Sequence, residues 1–338
     1  MKTKPVFYIL IVAAAAFILA MCFSPWAGNS GNLTLVWDGG GRAWTAAPVG
    51  DDLSTYNYTV TLKGPGGTIE ERFSGGVGSA TFDVIPGTWG VTVKGTKTGT
   101  AVGAPTVFDY FIMGIEQIEV KAGKKTSEPV TMYNAYEIKD WSDFNYLSSL
   151  ALGRPMIYLI ANDLKADTSG YYPSPLTTAN LARDCFFVAE KNVTIGRANK
   201  NSQKNFFEIT GTTTVTFGKS GMSGTITIDN EDAAISEYGL ITFSDGAFNK
   251  LVMNDGITIK GGNFTSIVGA AVYVRLGSGS PTVPVKSFIM NGGTITGNHV
   301  KPPSGTPFGG GVYVVSGGYF EWNGGTITGN SPDDVRRE

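Results

Sequence analysis

The chain has 338 residues, a formal net charge of −2, 16% charged and 42% hydrophobic residues. That balance supplies apolar mass for two cores and gives no overall electrostatic ground for binding nucleic acid or an acidic membrane. The lone His299 excludes a histidine-rich metal site. With only Cys22 and Cys185 there is neither a disulfide framework nor a pair of CxxC metal ligands, and no cofactor is expected.

Lys2 and Lys4 followed by the apolar run from Val6 to Phe23 have the layout of an export signal. No signal-peptidase site with small residues at both key positions stands out. Leu19-Ala20-Met21-Cys22 resembles a bacterial lipobox, although Met21 stands where that pattern has Gly, Ala or Ser. The resemblance implies that Cys22 becomes the acylated first residue of the mature protein. The run is also about the minimum that spans a bilayer, so an uncleaved anchor stays open beside lipidation, as does ordinary cleavage. All three readings place the protein outside the cytoplasm, in the cell envelope. The first two tie it to a membrane through its N-terminus, as an outer-membrane or cell-surface protein. Residues 1–22 are assigned to signal and anchor, and 23–31 to a tether.

From residue 32 to 135 short alternating runs separated by Gly and Pro predict a β-sandwich. The runs are Leu33 to Trp37, Tyr56 to Leu62, Thr68 to Phe73, Ala80 to Val84, Trp89 to Val93, Phe108 to Met113, Ile115 to Val120 and Val130 to Tyr133. Lys63-Gly64-Pro65-Gly66-Gly67 reads as a hairpin turn. The segment Phe82-Asp83-Val84-Ile85-Pro86-Gly87-Thr88-Trp89 resembles the strand–PG–strand signature of prealbumin-like and carboxypeptidase-regulatory-like sandwich modules. Such modules imply a spacer or a glycan-binding attachment, and the spacer is expected here because no unusual polar groups cluster.

Trp141, Phe144, Leu147 and Leu150 then recur at helical spacing behind Asp140 or Ser142 as N-cap, which predicts a short amphipathic helix. Its expected role is to cap the open end of a solenoid over residues 138–338, whose first strand is Met156 to Ile160. The long stretch from Asn162 to Ala182 reads as an extruded loop. Tyr171 and Tyr172, set among prolines, are its candidate ligand-binding residues.

The C-terminal third repeats. Phe288-Ile289-Met290-Asn291-Gly292-Gly293-Thr294-Ile295-Thr296-Gly297-Asn298 recurs 32 residues later, from Phe320 to Asn330. Extended backwards, the pattern yields three comparable turns of three short strands each, the mark of a parallel β-helix. Alternation turns Phe288, Met290, Phe320, Trp322, Ile295 and Ile327 inward, and sets Ile289, Glu321 and the flanking threonines outward. Asn254, Asn291 and Asn323 fall at one corner, where stacked amides form ladders. The FxxN motifs at Phe288 and Phe320, with Gly310-Gly311-Val312-Tyr313, resemble the repeats of bacterial polymorphic outer-membrane proteins and related right-handed parallel β-helix surface proteins. The clear match runs from Gly239 to Asn330, and the resemblance implies display or adhesion. The expected architecture is therefore all-β, a sandwich followed by a right-handed parallel β-helix.

Candidate chemistry is sparse. Gly218-Lys219-Ser220 lacks the leading glycine of a phosphate loop and reads as a turn. Asp229, Glu231 and Asp232, with Asp245, form the best acidic cluster. It reads as a solvated loop, with weak calcium binding or the carboxylates of a polysaccharide-cleaving enzyme as the rivals. Cys185, beside two phenylalanines, reads as an inert core residue. The leading expectation is a non-catalytic envelope protein that binds a surface glycan, or a host or neighbouring protein. The alternative is a β-helix lyase or hydrolase.

Overall fold

A computed structural model describes residues 30–37, 56–97, 111–141, 143, 155–166, 176–177, 184–197, 205–209, 213–236, 238–243, 249–275 and 286–338. Every regular element among them is a β-strand. The first eight are β1 (Gly31–Val36), β2 (Tyr56–Gly64), β3 (Gly67–Phe73), β4 (Ser79–Val84), β5 (Gly87–Lys97), β6 (Phe111–Val120), β7 (Lys125–Pro129) and β8 (Tyr133–Ile138). Strands β4, β1 and β7 make one sheet, while β3, β2, β5, β6 and β8 follow one another in a second. Period-2 alternation is what lets the sheets pack: Tyr56, Tyr58, Val60 and Leu62 of β2 are buried, and Asn57 and Lys63 are exposed. The inward set meets Leu33 and Leu35, Phe82 and Val84, and Val91 and Val93 in one core, at roughly 1.5–3 kcal/mol per fully buried large side chain. Pro65-Gly66 closes the β2–β3 hairpin between the paired Gly64 and Gly67. At the Pro86-Gly87 corner the Trp89 indole N–H donates to the Ile85 carbonyl at 2.7 Å.

The described part of one expected run, Phe111 to Met113, and the run Ile115 to Val120 join in the single strand β6, with Gly114 paired to Val93 between them, and residues 108–110 lie outside the described residues. Strand β7 has too polar a sequence, Lys-Thr-Ser-Glu-Pro, to be seen by hydrophobic pattern. It forms because its backbone pairs with β1.

The remainder is a parallel β-helix of six turns. The first turn holds β9 (Met156–Ile160), β10 (Leu164–Ala166) and β11 (Leu176–Thr177), and the second β12 (Cys185–Val188), β13 (Val193–Arg197) and β14 (Phe207–Ile209). The third holds β15 (Thr213–Phe217), β16 (Ile226–Asp229), β17 (Ala234–Ile235) and β18 (Gly239–Phe243). The fourth holds β19 (Asn249–Met253), β20 (Ile257–Lys260), β21 (Asn263–Phe264) and β22 (Val268–Val274). The fifth holds β23 (Lys286–Met290), β24 (Thr294–Thr296), β25 (His299–Val300) and β26 (Phe308–Val314), and the last β27 (Tyr319–Trp322), β28 (Thr326–Thr328) and β29 (Asp333–Arg337). Successive turns are 29, 30, 36, 37 and 32 residues long, counted from Met156 through Cys185, Val215, Leu251 and Phe288 to Phe320, all of them register partners. No two of these lengths agree, which blurs any fixed period, so the sequence shows three turns where the described residues make six.

The facing assigned from sequence holds for most of the column. Leu251, Met253, Phe288, Met290, Phe320, Ile295 and Ile327 are all buried, and the Phe288 and Phe320 rings stack at 5.1 Å. Thr194, Thr227, Thr258, Thr294 and Thr326 lie in register, outside the buried set. The amide ladder forms: Asn323 donates to Asn291 and Asn291 to Asn254, both at 3.0 Å, and Asn254 donates to the Gly218 carbonyl at 2.9 Å. Trp322 departs from the expectation. It pairs with Met290 but is 49% exposed, because no strand among the described residues lies beyond β27 to cover it.

The predicted capping helix lies almost wholly outside the described residues: Asp143 alone of it has helical backbone, and no helical element occurs among the described residues. Trp141 is buried against Phe206 and Phe207. The edge of the first turn is closed by the sandwich itself. Strand β8 pairs antiparallel with β6 and parallel with β9, which merges both modules into one eleven-stranded sheet ending at β27. A long parallel edge is a template for wrong partners, and β8 occupies it.

Two substitutions test the corners. Gly293 sits at φ 82°, where a Cβ would meet the Ile257 carbonyl oxygen at 2.6 Å. Gly293→Ala is expected to cost about 1–3 kcal/mol and Asn291→Ala, which cuts both rungs it makes, about 1–2 kcal/mol. Urea unfolding should show both as lower midpoints. Unchanged midpoints would remove the corners from the account of stability.

Candidate functional site

Of the residues singled out from sequence, Cys22, Tyr171, Tyr172 and Asp245 lie outside the described residues. The acidic cluster is described, and two of its three carboxylates, Asp229 and Glu231, pair with lysines. Asp229 pairs with Lys260 across the β16–β20 ladder at 3.0 Å, and Glu231 pairs with Lys165. Asp229 Oδ1 also accepts the Glu231 N–H at 2.8 Å, and the Asp232 N–H donates to the Gly261 carbonyl at 3.1 Å. These bonds hold Glu231 and Asp232 at φ 52° and 55°, left-handed conformations that non-glycine residues seldom adopt. Asp232 itself is exposed. Beneath the loop Asn230 is fully buried and accepts from Arg197 Nε at 2.7 Å. Burial lowers the Arg197 guanidinium to about 10, and it lies over the Phe206 ring at 4.1 Å. Among the described residues no group of three or more His, Cys, Asp or Glu side chains is placed to hold a metal ion.

Cys185 is buried, and burial followed by the Asp184 carboxylate pushes its thiol well above the ordinary value, as suits an inert core residue.

The turn Gly218-Lys219-Ser220 has a role that its sequence did not reveal. It folds back from β15 onto β6 of the sandwich. Lys219 Nζ donates to the Ile115 carbonyl and pairs with Glu116 at 3.1 Å, and Ser220 donates to Gln117. Gly221 makes the approach possible: at φ 89°, a Cβ there would come 2.0 Å from the Glu116 carbonyl oxygen. Met222 packs beside Phe111, Met113, Ile115, Ile157, Leu159 and Val188, so an apolar cluster bonds the modules as well.

Around this contact opens a cleft of about 590 Å³. Lys63, Thr88 and Gln117 line it from the sandwich, and Ser220, Ser223, Thr225, Asn254, Asp255 and Asn291 from the β-helix. Lys63 Nζ reaches the Glu190 carbonyl at 3.5 Å, and Ser223 donates to the same oxygen at 3.0 Å. An amide has two N–H donors and two lone pairs on its oxygen. Each inner rung of the ladder uses one of each, which leaves Asn254 and Asn291 one donor and one acceptor for a further partner. Asp255, exposed, is the one carboxylate of the lining. The arrangement is suited to hydrogen-bonding a polyhydroxylated ligand. Glycoside hydrolysis ordinarily uses two carboxylates flanking the bond.

A second cluster escaped sequence reading. Tyr238, Tyr273 and Tyr313 stack along neighbouring turns, with ring separations of 5.2 and 5.5 Å. Tyr273 and Tyr313 are buried, and Tyr238 is 44% exposed at the end of the column. The Gly-Gly-Val-Tyr motif marked Tyr313, but the stacking depended on a 40-residue register partner, Tyr273. Comparison with protein-family models, with curated proteins and with solved structures finds no match to this chain.

The tyrosine column carries a pH prediction. Burial first, and for Tyr313 the hydrogen bond to Glu338 next, raise both phenols above their ordinary value of 10.0. Above that pH the unfolded chain releases protons that the folded chain retains. The stability these groups contribute is therefore whole below pH 10 and is lost as pH climbs toward the folded values. Thermal midpoints across this alkaline range should fall less steeply for Tyr313→Phe than for the wild type. Parallel curves would contradict the assignment.

Proposed function

We propose that the chain is an exported, membrane-anchored envelope protein that displays a β-helix and binds a surface glycan or a glycan-bearing neighbour without cleaving it. The β-helix with its FxxN-type repeats is of the kind found in the surface proteins it resembles, and the N-terminal segment ending at Cys22 supplies the anchor. The observation that carries the reading is the junction cleft. It is polar and lined by amides, hydroxyls and one carboxylate, and it lies between two modules bound by a shared sheet. A cleft between modules that share a sheet is already ordered before ligand arrives, which reduces the entropy lost on binding.

The ligand is sought by applying the purified full chain to an array of bacterial and host glycans. Asp255→Asn, at an exposed position, is expected to weaken the bound glycan about tenfold, the effect of losing one charge-assisted hydrogen bond. Thermal stability should be unchanged. Binding that ignores this substitution would remove the cleft from the proposal, and release of shortened glycan would turn it into an enzyme.

The anchor has its own check. Cys22→Ala should abolish the mobility shift of acylation and move the protein out of the detergent phase, whereas unchanged partitioning would refute lipidation.

A further inference from the structure

A net charge of −2 conceals a concentration of one sign where the chain enters the sandwich. From the end of β6 into β7 the chain runs Lys121-Ala122-Gly123-Lys124-Lys125, Lys125 being the first residue of β7, and all five residues are exposed. The first described residues of the chain are fastened to this turn. The Gly123 N–H donates to the Ser30 carbonyl at 3.2 Å, and the Asn32 N–H donates to the Lys124 carbonyl at 3.1 Å. Gly31 packs so closely that a Cβ on it would lie 2.3 Å from Val120 Cγ1. Among the described residues none of the three lysines makes an ion pair or a side-chain hydrogen bond. Glu119 and Glu128 are the nearest acidic residues in sequence, and both stand back from the turn, within β6 and within β7.

We propose that this lysine turn docks on the anionic phospholipid headgroups of the membrane that carries the N-terminal anchor. The inference rests on the anchor reading given above and adds which surface of the sandwich faces the bilayer. Eight chain steps lead from Cys22 to Ser30. Fully extended they reach at most about 29 Å, and a flexible chain of that length spans about 16 Å on average. The anchor therefore holds the turn in a narrow shell above the headgroups, where a weak local attraction acts at high effective concentration. Each lysine within roughly a Debye length, about 8 Å, of an anionic leaflet adds to that attraction. The groove of about 760 Å³ behind the turn is lined by Glu116, Glu119 and Glu128 as well as by the three lysines, Thr126 and Ser127, so the contact with phosphate oxygens is made by the exposed turn and not by the groove. The exposed Lys121–Lys125 segment is complementary in charge to an anionic leaflet, and the carboxylates behind it confine that complementarity to its tip.

The test places the full chain, inserted through its own N-terminus, in phosphatidylcholine vesicles with or without phosphatidylglycerol. Ala122→Cys carries a fluorophore; Cys185, buried, does not compete for label, and Cys22, acylated on the anchor reading, has no free thiol to take it. Energy transfer to a headgroup acceptor is expected to be several-fold stronger in the phosphatidylglycerol vesicles and to weaken with salt. In the triple variant Lys121→Glu, Lys124→Glu, Lys125→Glu it should fall to the level seen in phosphatidylcholine alone. Equal transfer in the two vesicle types, or a triple variant that behaves like the wild type, overturns the proposal while the anchor stands. Failure of the wild type to float with either vesicle overturns the anchor reading, and the docking proposal with it.

Discussion

A single hydrogen-bonded sheet runs from β3 at the outer edge of the sandwich, through β8, to β27 in the last turn of the β-helix. The rest of the molecule hangs on that continuity. Backbone pairing is obligatory for a buried strand, and β8 has two neighbours of opposite sense, β6 antiparallel and β9 parallel. One strand thus ends an up-and-down sheet and begins a solenoid. The register it imposes on β9 is inherited turn by turn, since each strand of the face can pair only where the one before it has set its carbonyls and N–H groups.

Inherited register explains why side chains of one kind fall into columns. Asn254, Asn291 and Asn323 become a ladder, Tyr273 and Tyr313 a stack, and Phe288 and Phe320 a pair of near-parallel rings, while Tyr238 joins the tyrosines from outside the register, where Thr242 is the partner of Tyr273. The sandwich is fastened a second time by the Lys219 turn, through contacts to Ile115, Glu116 and Gln117. Two separated attachments resist hinging better than one. The cleft opens around the second of these attachments, between modules joined at two places, which supports the binding role proposed for it.

Much of the solenoid was legible before any coordinates. Phe288 and Phe320 announced a turn because their two strands and the corners after them share one pattern, with the same glycines and asparagine. The earlier turns were hidden by changes in loop length, which blur a period without disturbing pairing. Strand β7 was illegible for another reason: all five of its residues are exposed or half-buried, and only the backbone of β1 makes it a strand. The candidate site was less legible still. Asp229 and Glu231 were found as carboxylates, but their lysine partners come from other turns, Lys260 and Lys165. Lys219 was dismissed as part of a turn because its partner Glu116 is 103 residues away.

By itself, the sequence determined the all-β class, the inward and outward residues of most repeat strands, the amide corner and an apolar segment suited to anchoring at the N-terminus. Each of these follows from the chemistry of residues close in the chain: alternation, glycine corners and hydrophobic length. Only the tertiary structure decided that the sandwich and the β-helix are one sheet, that two carboxylates of the acidic loop pair with lysines, and that a turn of the third coil clasps β6. Those features pair groups from distant parts of the chain, and such pairs are selected by the register of the folded sheet, which local pattern does not encode.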